Sequence, residues 1–249
     1  MQVFEYGSRE THYLARKDAA LAAVMKEIGH VYREVTPDLF AALVQQIVCQ
    51  QISTKGAMTI WNRMLAAFGS LTPQSLTPQS LALAPIEDIQ KCGMSMRKAG
   101  YIKELTQTVQ DGRLDLNALR TMPDDELCAH LVQIKGIGVW TAEMLMTFSM
   151  QRPDVMSWDD IAIHRGLRML YRHRKISREL FARYKKRYSP YASVASLYLW
   201  EIAGGGCKGL VDPAPLSEAQ KRARAKKRGK DKAKRASPGS PGPERGSRA

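Results

Sequence analysis

Apolar residues recur at three- and four-residue intervals along most of this chain, and no pair of alternating segments joined by a hairpin turn stands out. That periodicity puts an apolar stripe on each of a succession of short helices. Leu21, Val24, Met25, Ile28, Val31 and Tyr32 form one stripe, with Asp18 placed to cap it. Thr36-Pro37 predicts the start of a second helix, proline in its first position, with Leu39, Phe40, Leu43, Val44, Ile47 and Val48 inward. Ser53 caps a third, which turns Ile60, Trp61, Met64, Leu65 and Phe68 to the core. Further stripes fall at 96–110, 124–132, 140–150, 161–171, 178–187 and 191–202. The expected fold is all-α, an array of about ten short helices. Between helices, 72–81 reads TPQSL-TPQSL. That duplication is too short for a solenoid and is expected to lengthen a surface loop.

Charge divides the chain. Of 38 Lys and Arg, 12 lie from Asp212 onward against 4 acids, so this tail nets +8 while residues 1–211 hold 26 bases and 20 acids. Residues 221–235, KRARAKKRGKDKAKR, hold ten bases and one acid, and SPGSPGPERGSRA after them offers nothing for a core. The organisation expected is one folded region over 1–211 and a basic, disordered tail over 212–249. Such an excess of base favours a polyanion, nucleic acid or an acidic membrane surface.

Cys49, Cys92, Cys128 and Cys207 form no CxxC pair, which argues against zinc, an iron–sulfur cluster or a disulfide framework. The first residues carry no apolar signal segment, and no 18-residue apolar run occurs. A soluble protein in a reducing compartment is expected, with no membrane partner.

Chemistry concentrates in two places. In Leu131-Val132-Gln133-Ile134-Lys135-Gly136-Ile137-Gly138-Val139-Trp140-Thr141-Ala142, an apolar helix ends, GxG turns, and another helix begins. Such a turn presents backbone N–H groups at a helix N-terminus, a seat for a phosphate oxygen. By itself it reads first as an ordinary helix junction with a glycine cap, since such turns are common. Asp160 follows Gly138 by 22 residues, in Ser157-Trp158-Asp159-Asp160-Ile161-Ala162-Ile163-His164-Arg165. Either aspartate suits the N-cap of the next helix.

Together the hairpin, a proline-bearing loop and an aspartate opening a helix resemble the helix-hairpin-helix DNA glycosylases. Gln50-Gln51-Ile52-Ser53 is similar to that family's QQxS turn, and Gly93-Met94-Ser95-Met96-Arg97-Lys98-Ala99-Gly100-Tyr101-Ile102 to its GLSxRKAxYL stretch. Pro190-Tyr191-Ala192-Ser193 with Trp200 is similar to its PxRSxA segment and closing tryptophan. The resemblance spans most of residues 18–202 and is nearest the inducible 3-methyladenine glycosylase branch, whose extra N-terminal β domain is not expected here.

The resemblance implies two helical lobes with a DNA-binding cleft between them, and Asp160 as the catalytic carboxylate that stabilises an oxocarbenium-like sugar. It places Lys135, Gly136, Ile137 and Gly138 on the DNA backbone and Gln51 as the wedge entering the gap left by a flipped nucleotide. Gln51 is equally a polar residue ending a helix. Trp140 stands where bifunctional relatives carry a Schiff-base lysine, and Lys135 is misplaced for that role, so a monofunctional hydrolase follows. Trp140, Met144, Ile161 and Trp200 match base-pocket positions, with core packing as the competing role for the tryptophans. Met144 and Ile161 replace tyrosines and Ala192 a common arginine, which leaves base selectivity open. His164 reads as structural, and Arg97 and Lys98 as solvated surface or phosphate contacts.

The function implied is excision of alkylated purines from damaged duplex DNA by a monomer, with no metal ligands and no organic cofactor. A monovalent cation at the hairpin is implied by relatives. The expected location is the bacterial nucleoid or a eukaryotic nucleus. Two rival readings stand beside this one: an oxidised- or deaminated-purine glycosylase, and a non-catalytic architectural protein. A scaffold has no use for a second carboxylate beside phosphates.

Overall fold

The structure, a computed structural model, describes residues 2–69 and 76–214. Among these residues it is helical throughout, save an isolated antiparallel bridge between Val3 and Glu34. The helices are α1 (Ser8–Lys17), α2 (Ala19–Ile28), α3 (Leu39–Cys49), α4 (Thr54–Phe68), α5 (Pro78–Ala82), α6 (Ile86–Lys91), α7 (Met96–Gln110), α8 (Leu116–Thr121), α9 (Asp124–Leu131), α10 (Val139–Phe148), α11 (Ile161–Tyr171), α12 (Arg178–Tyr188) and α13 (Ala192–Gly204).

Caps account for most of the boundaries. Asp18 accepts from Leu21 N at 2.9 Å to open α2, and Ser53 from Gly56 N at 3.2 Å to open α4, as predicted. Three expectations shift. The second helix starts at Leu39, because the Asp38 carboxylate takes the Ala41 N–H at 2.9 Å and outcompetes Pro37 as the start signal. The stripe through Val31 and Tyr32 overruns: Gly29, with φ +77°, ends α2 at Ile28, and Tyr32 is 71% exposed. The second TPQSL copy is no simple loop, since Thr77 and Ser80 form a capping box for α5 and Leu81 is fully buried, as is Leu76 at the end of the first copy. Residues 72–75 of the first copy, and the tail from 215 onward, lie outside the described residues.

Residues Met1–Asp212 form one compact unit. Its buried apolar side chains fall into two clusters. The first gathers α3 to α10, from Leu39 to Val155. The second joins the N-terminal α1 and α2 to α11, α12 and α13, from Phe4 to Cys207. The chain passes from one core to the other between adjacent residues, Val155 in the first and Met156 in the second. In the second core α11 lies hard against α13, where any Cβ on Gly166 would run into the Leu199 carbonyl.

Candidate active site

Four residues after that crossing stands Asp160, and the loop leading to it is tied down from several sides. Arg152 donates to the carbonyls of Arg120 and Met122, both at 2.9 Å. Asp154 accepts from Ser189 Oγ at 2.6 Å and from Ala192 N at 3.2 Å, and Val155 N donates to Ser193 Oγ at 2.8 Å. Trp158 meets His164 and Phe181 edge-on, under the Arg178 guanidinium, and His164 Nε2 lies 2.7 Å from the Trp158 carbonyl. His164 is therefore part of the loop's support. A carboxylate at the end of such a loop keeps one position without help from substrate.

Asp160 is only 7% exposed, yet both its oxygens have partners. Oδ1 accepts from Ala162 N at 2.8 Å and Ile163 N at 2.9 Å, so the residue is the N-cap of α11. Oδ2 accepts the indole N–H of Trp140 at 3.0 Å. Since α10 belongs to the first core and α11 to the second, this bond joins the two. Asp159, by contrast, is exposed.

The other predicted pocket residues separate. Trp140 is 39% exposed and Ile161, next to the carboxylate, 82%, so both present surface to solvent. Met144 is buried, and Trp200 packs against Phe148 with ring centroids 5.4 Å apart. Trp140 and Asp160 are joined by a hydrogen bond, with Ile161 next to the carboxylate in sequence; Met144 lies one turn past Trp140 on α10, and Trp200 is half-buried on α13. Ala192 is fully buried at the start of α13.

In the hairpin only one glycine is demanded by the free protein. Gly136 has φ +88°, and a Cβ there would sit 2.7 Å from Tyr101 Cδ2. Gly138 has φ −94° and nothing within 4 Å of such a Cβ. It is the N-cap of α10 and offers no side chain to the first-turn N–H groups, which leaves them for an outside acceptor. Ile137 is buried in the first core, and Lys135 pairs with Glu104 at 2.9 Å. Gln51 is exposed with φ +57°, at the turn after α3.

Two groups escape a reading of the sequence. Glu143, one turn past Trp140, buries Oε2 without a partner, and Ser157 Oγ is buried likewise. Burial pushes the Glu143 carboxyl up; nearby Ser157, which makes no well-formed hydrogen bond to it, and Lys185 offset part of this, while Asp159 and Asp160 add to it. An acid flanked by Ala142 and Met144 on an apolar helix was the available signal. The second group is Lys98, expected at the surface. Its Nζ instead turns inward to the carbonyls of Val48 at 2.8 Å and Gln50 at 2.6 Å, because the last carbonyls of α3 have no partners of their own.

The HhH-GPD superfamily of base excision DNA repair proteins matches residues 44–190, and this chain belongs to that superfamily. The chain is 33% identical to "DNA-3-methyladenine glycosylase 1" of Schizosaccharomyces pombe over 66% of its own length and 72% of the relative's. Among solved structures it is similar to a DNA-3-methyladenine glycosidase from Bacillus halodurans, with 35% identity and a TM-score of 0.73 over 82% of this chain and 93% of that one. It is also similar to the 3-methyladenine DNA glycosylase of S. pombe in complex with abasic DNA, with 28% identity and a TM-score of 0.70 over 79% and 97%.

Proposed function

We propose that this protein is a monofunctional DNA glycosylase that removes alkylated purines of the 3-methyladenine and 7-methylguanine type from duplex DNA, with Asp160 as the catalytic residue. The carrying observation is the state of its carboxylate. Oδ1 is locked by two backbone N–H groups, while Oδ2 is held by the part-exposed Trp140 indole. A negative charge fixed in a largely dry site stabilises positive charge developing on a deoxyribose without reorganising. The C1′–N bond breaks with its electron pair leaving on the base. Water then adds to C1′, and its proton passes to the carboxylate or to solvent.

An alkylated purine already carries positive charge, so it departs without a strong general acid. The exposed indole face of Trp140 suits such a cation. No amine stands where a Schiff base would form: the position belongs to Trp140, and Lys135 is paired with Glu104. The family's hairpin cation would take backbone carbonyls, the donor type it needs. Of these, Ile134 and Gly136 already accept from Ile137 N and Gln50 Nε2, and no step here depends on it.

The test is single-turnover excision from duplexes carrying 3-methyladenine, 7-methylguanine, hypoxanthine or 8-oxoguanine, followed by alkali and, separately, borohydride. Release of the two alkylated bases, strand breaks only after alkali and no trapped adduct are expected. Preferred release of 8-oxoguanine, or a trapped adduct, would overturn the assignment.

A further inference from the structure

The turn after α3 and the hairpin before α10 lie 86 residues apart in sequence, yet they are fastened to each other. Gln50 Nε2 donates to the Gly136 carbonyl at 2.6 Å. Lys98, on α7, donates from Nζ to Val48 O and Gln50 O on either side of Cys49. The same helix carries Tyr101, whose ring fills the space over Gly136 that a Cβ would need. One helix therefore braces both loops, and Gln50 bolts them together.

The chemistry of the brace is specific. The final carbonyls of α3 are the negative end of its dipole, and an ammonium is the side chain that satisfies several of them at once. Burial lowers the Lys98 pKa, partly offset by Cys49. Beyond the brace, Gln51 is held at φ +57°, a left-handed conformation that disfavours a non-glycine residue and persists only where its surroundings impose it.

We infer that Lys98 and Gln50 are positioning residues that hold the Gln50–Gln51 turn in fixed register with the hairpin, so that Gln51 is aimed at the gap a flipped nucleotide leaves. This rests on the reading of Gln51 as the wedge. If the hairpin grips the phosphates, a wedge rigidly tied to it enters the duplex at a set distance from them. A loose turn has to find that register anew in each encounter.

The measurement is single-turnover excision of 7-methylguanine from a paired duplex and from an unpaired bubble. The proteins are the full chain and its variants Lys98→Met, Gln50→Ala, Gln51→Ala and Lys98→Met/Gln51→Ala. A wedge matters only where a base pair has to be opened, so the ratio of the two rates isolates it from folding and chemistry. Lys98→Met and Gln50→Ala are expected to lower the paired-to-bubble ratio about tenfold, within what a misplacement of about 1 Å costs. The double variant should be no worse than Gln51→Ala, since a register has no value without its wedge. Gln50→Ala keeps the test open if Lys98→Met fails to fold. Equal losses on both substrates, or additive losses in the double variant, would overturn the clamp. A ratio unchanged in Gln51→Ala would instead remove the wedge, and the clamp with it, while leaving the glycosylase assignment untouched.

Discussion

One oxygen of Asp160 caps α11 and the other meets the Trp140 indole. From the residues alone, cap and catalyst are competing roles for this aspartate. The geometry makes them compatible, because capping occupies Oδ1 alone and Oδ2 meets the part-exposed Trp140 indole. Glu143 shows the opposite case, a carboxyl whose surroundings favour its proton. Ser157, Lys185, Asp159 and Asp160 face it, along with Cys128 on α9. A carboxyl that binds its proton more tightly folded than unfolded adds stability in full below its ordinary range, and that contribution is lost as pH rises through the raised value. Glu143→Gln is neutral at every pH. Its melting temperature should therefore gain on that of the parent as pH climbs from about 4 to about 8. A difference that stays constant across thermal melts in this range would show that Glu143 ionises as freely in the folded protein as in the unfolded chain.

Among the helices, legibility follows length and burial. The long stripes on α3, α4, α7, α11 and α12 can be read because each carries several inward residues. α1 escapes because only Leu14 on it is buried, and α5, α6 and α8, at five or six residues, are too short to establish a period. The hairpin is legible as a motif, but not the division of labour between its glycines. Gly136 answers to φ and to Tyr101; Gly138 answers to nothing in the free protein. Gly136→Ala is expected to cost about 1–3 kcal/mol in denaturant unfolding. Gly138→Ala should stay within about 0.5 kcal/mol of the parent. It should nonetheless bind abasic-site DNA more weakly, because the methyl group stands at the open helix N-terminus. The reverse pattern would move the phosphate seat away from this turn. Lys98 was illegible for a related reason: a lysine in the first turn of a helix looks solvated unless the orphan carbonyls of another helix are known to lie beside it.

At the scale of the molecule, periodicity finds the helices but not their grouping. Nothing local says that α1 and α2 pack with α11, α12 and α13, around Tyr188, Tyr198 and Leu21, while the middle of the chain builds its own core. No helix among the described residues is long and apolar enough to cross a membrane. The first compact unit ends at Asp212. Asp212 is gripped there by Arg168 through two hydrogen bonds, at 2.9 and 2.6 Å. A truncation that spares Asp212 and removes residues 215–249 therefore leaves this pairing intact. Ten of the removed bases lie in 221–235 with little means of reading base edges. Their contribution to DNA affinity should be phosphate neutralisation, about 0.9 in the slope of log affinity against log salt for each contact. Titrations across a salt series should give a flatter slope for the truncated protein, with excision at saturating enzyme nearly unchanged. An unchanged slope would remove the tail from DNA binding.

The central claim, that Asp160 acts on the sugar and is more than a helix cap, is tested most directly by Asp160→Asn. The amide keeps an oxygen for Ala162 N and Ile163 N and removes the charge. Measured side by side, single-turnover excision of 7-methylguanine should fall by about a thousandfold or more, the scale of losing a preorganised electrostatic group. Affinity for abasic-site DNA should hold or rise, since a negative charge near the phosphates is gone. Excision and affinity falling together, or excision surviving, would contradict it.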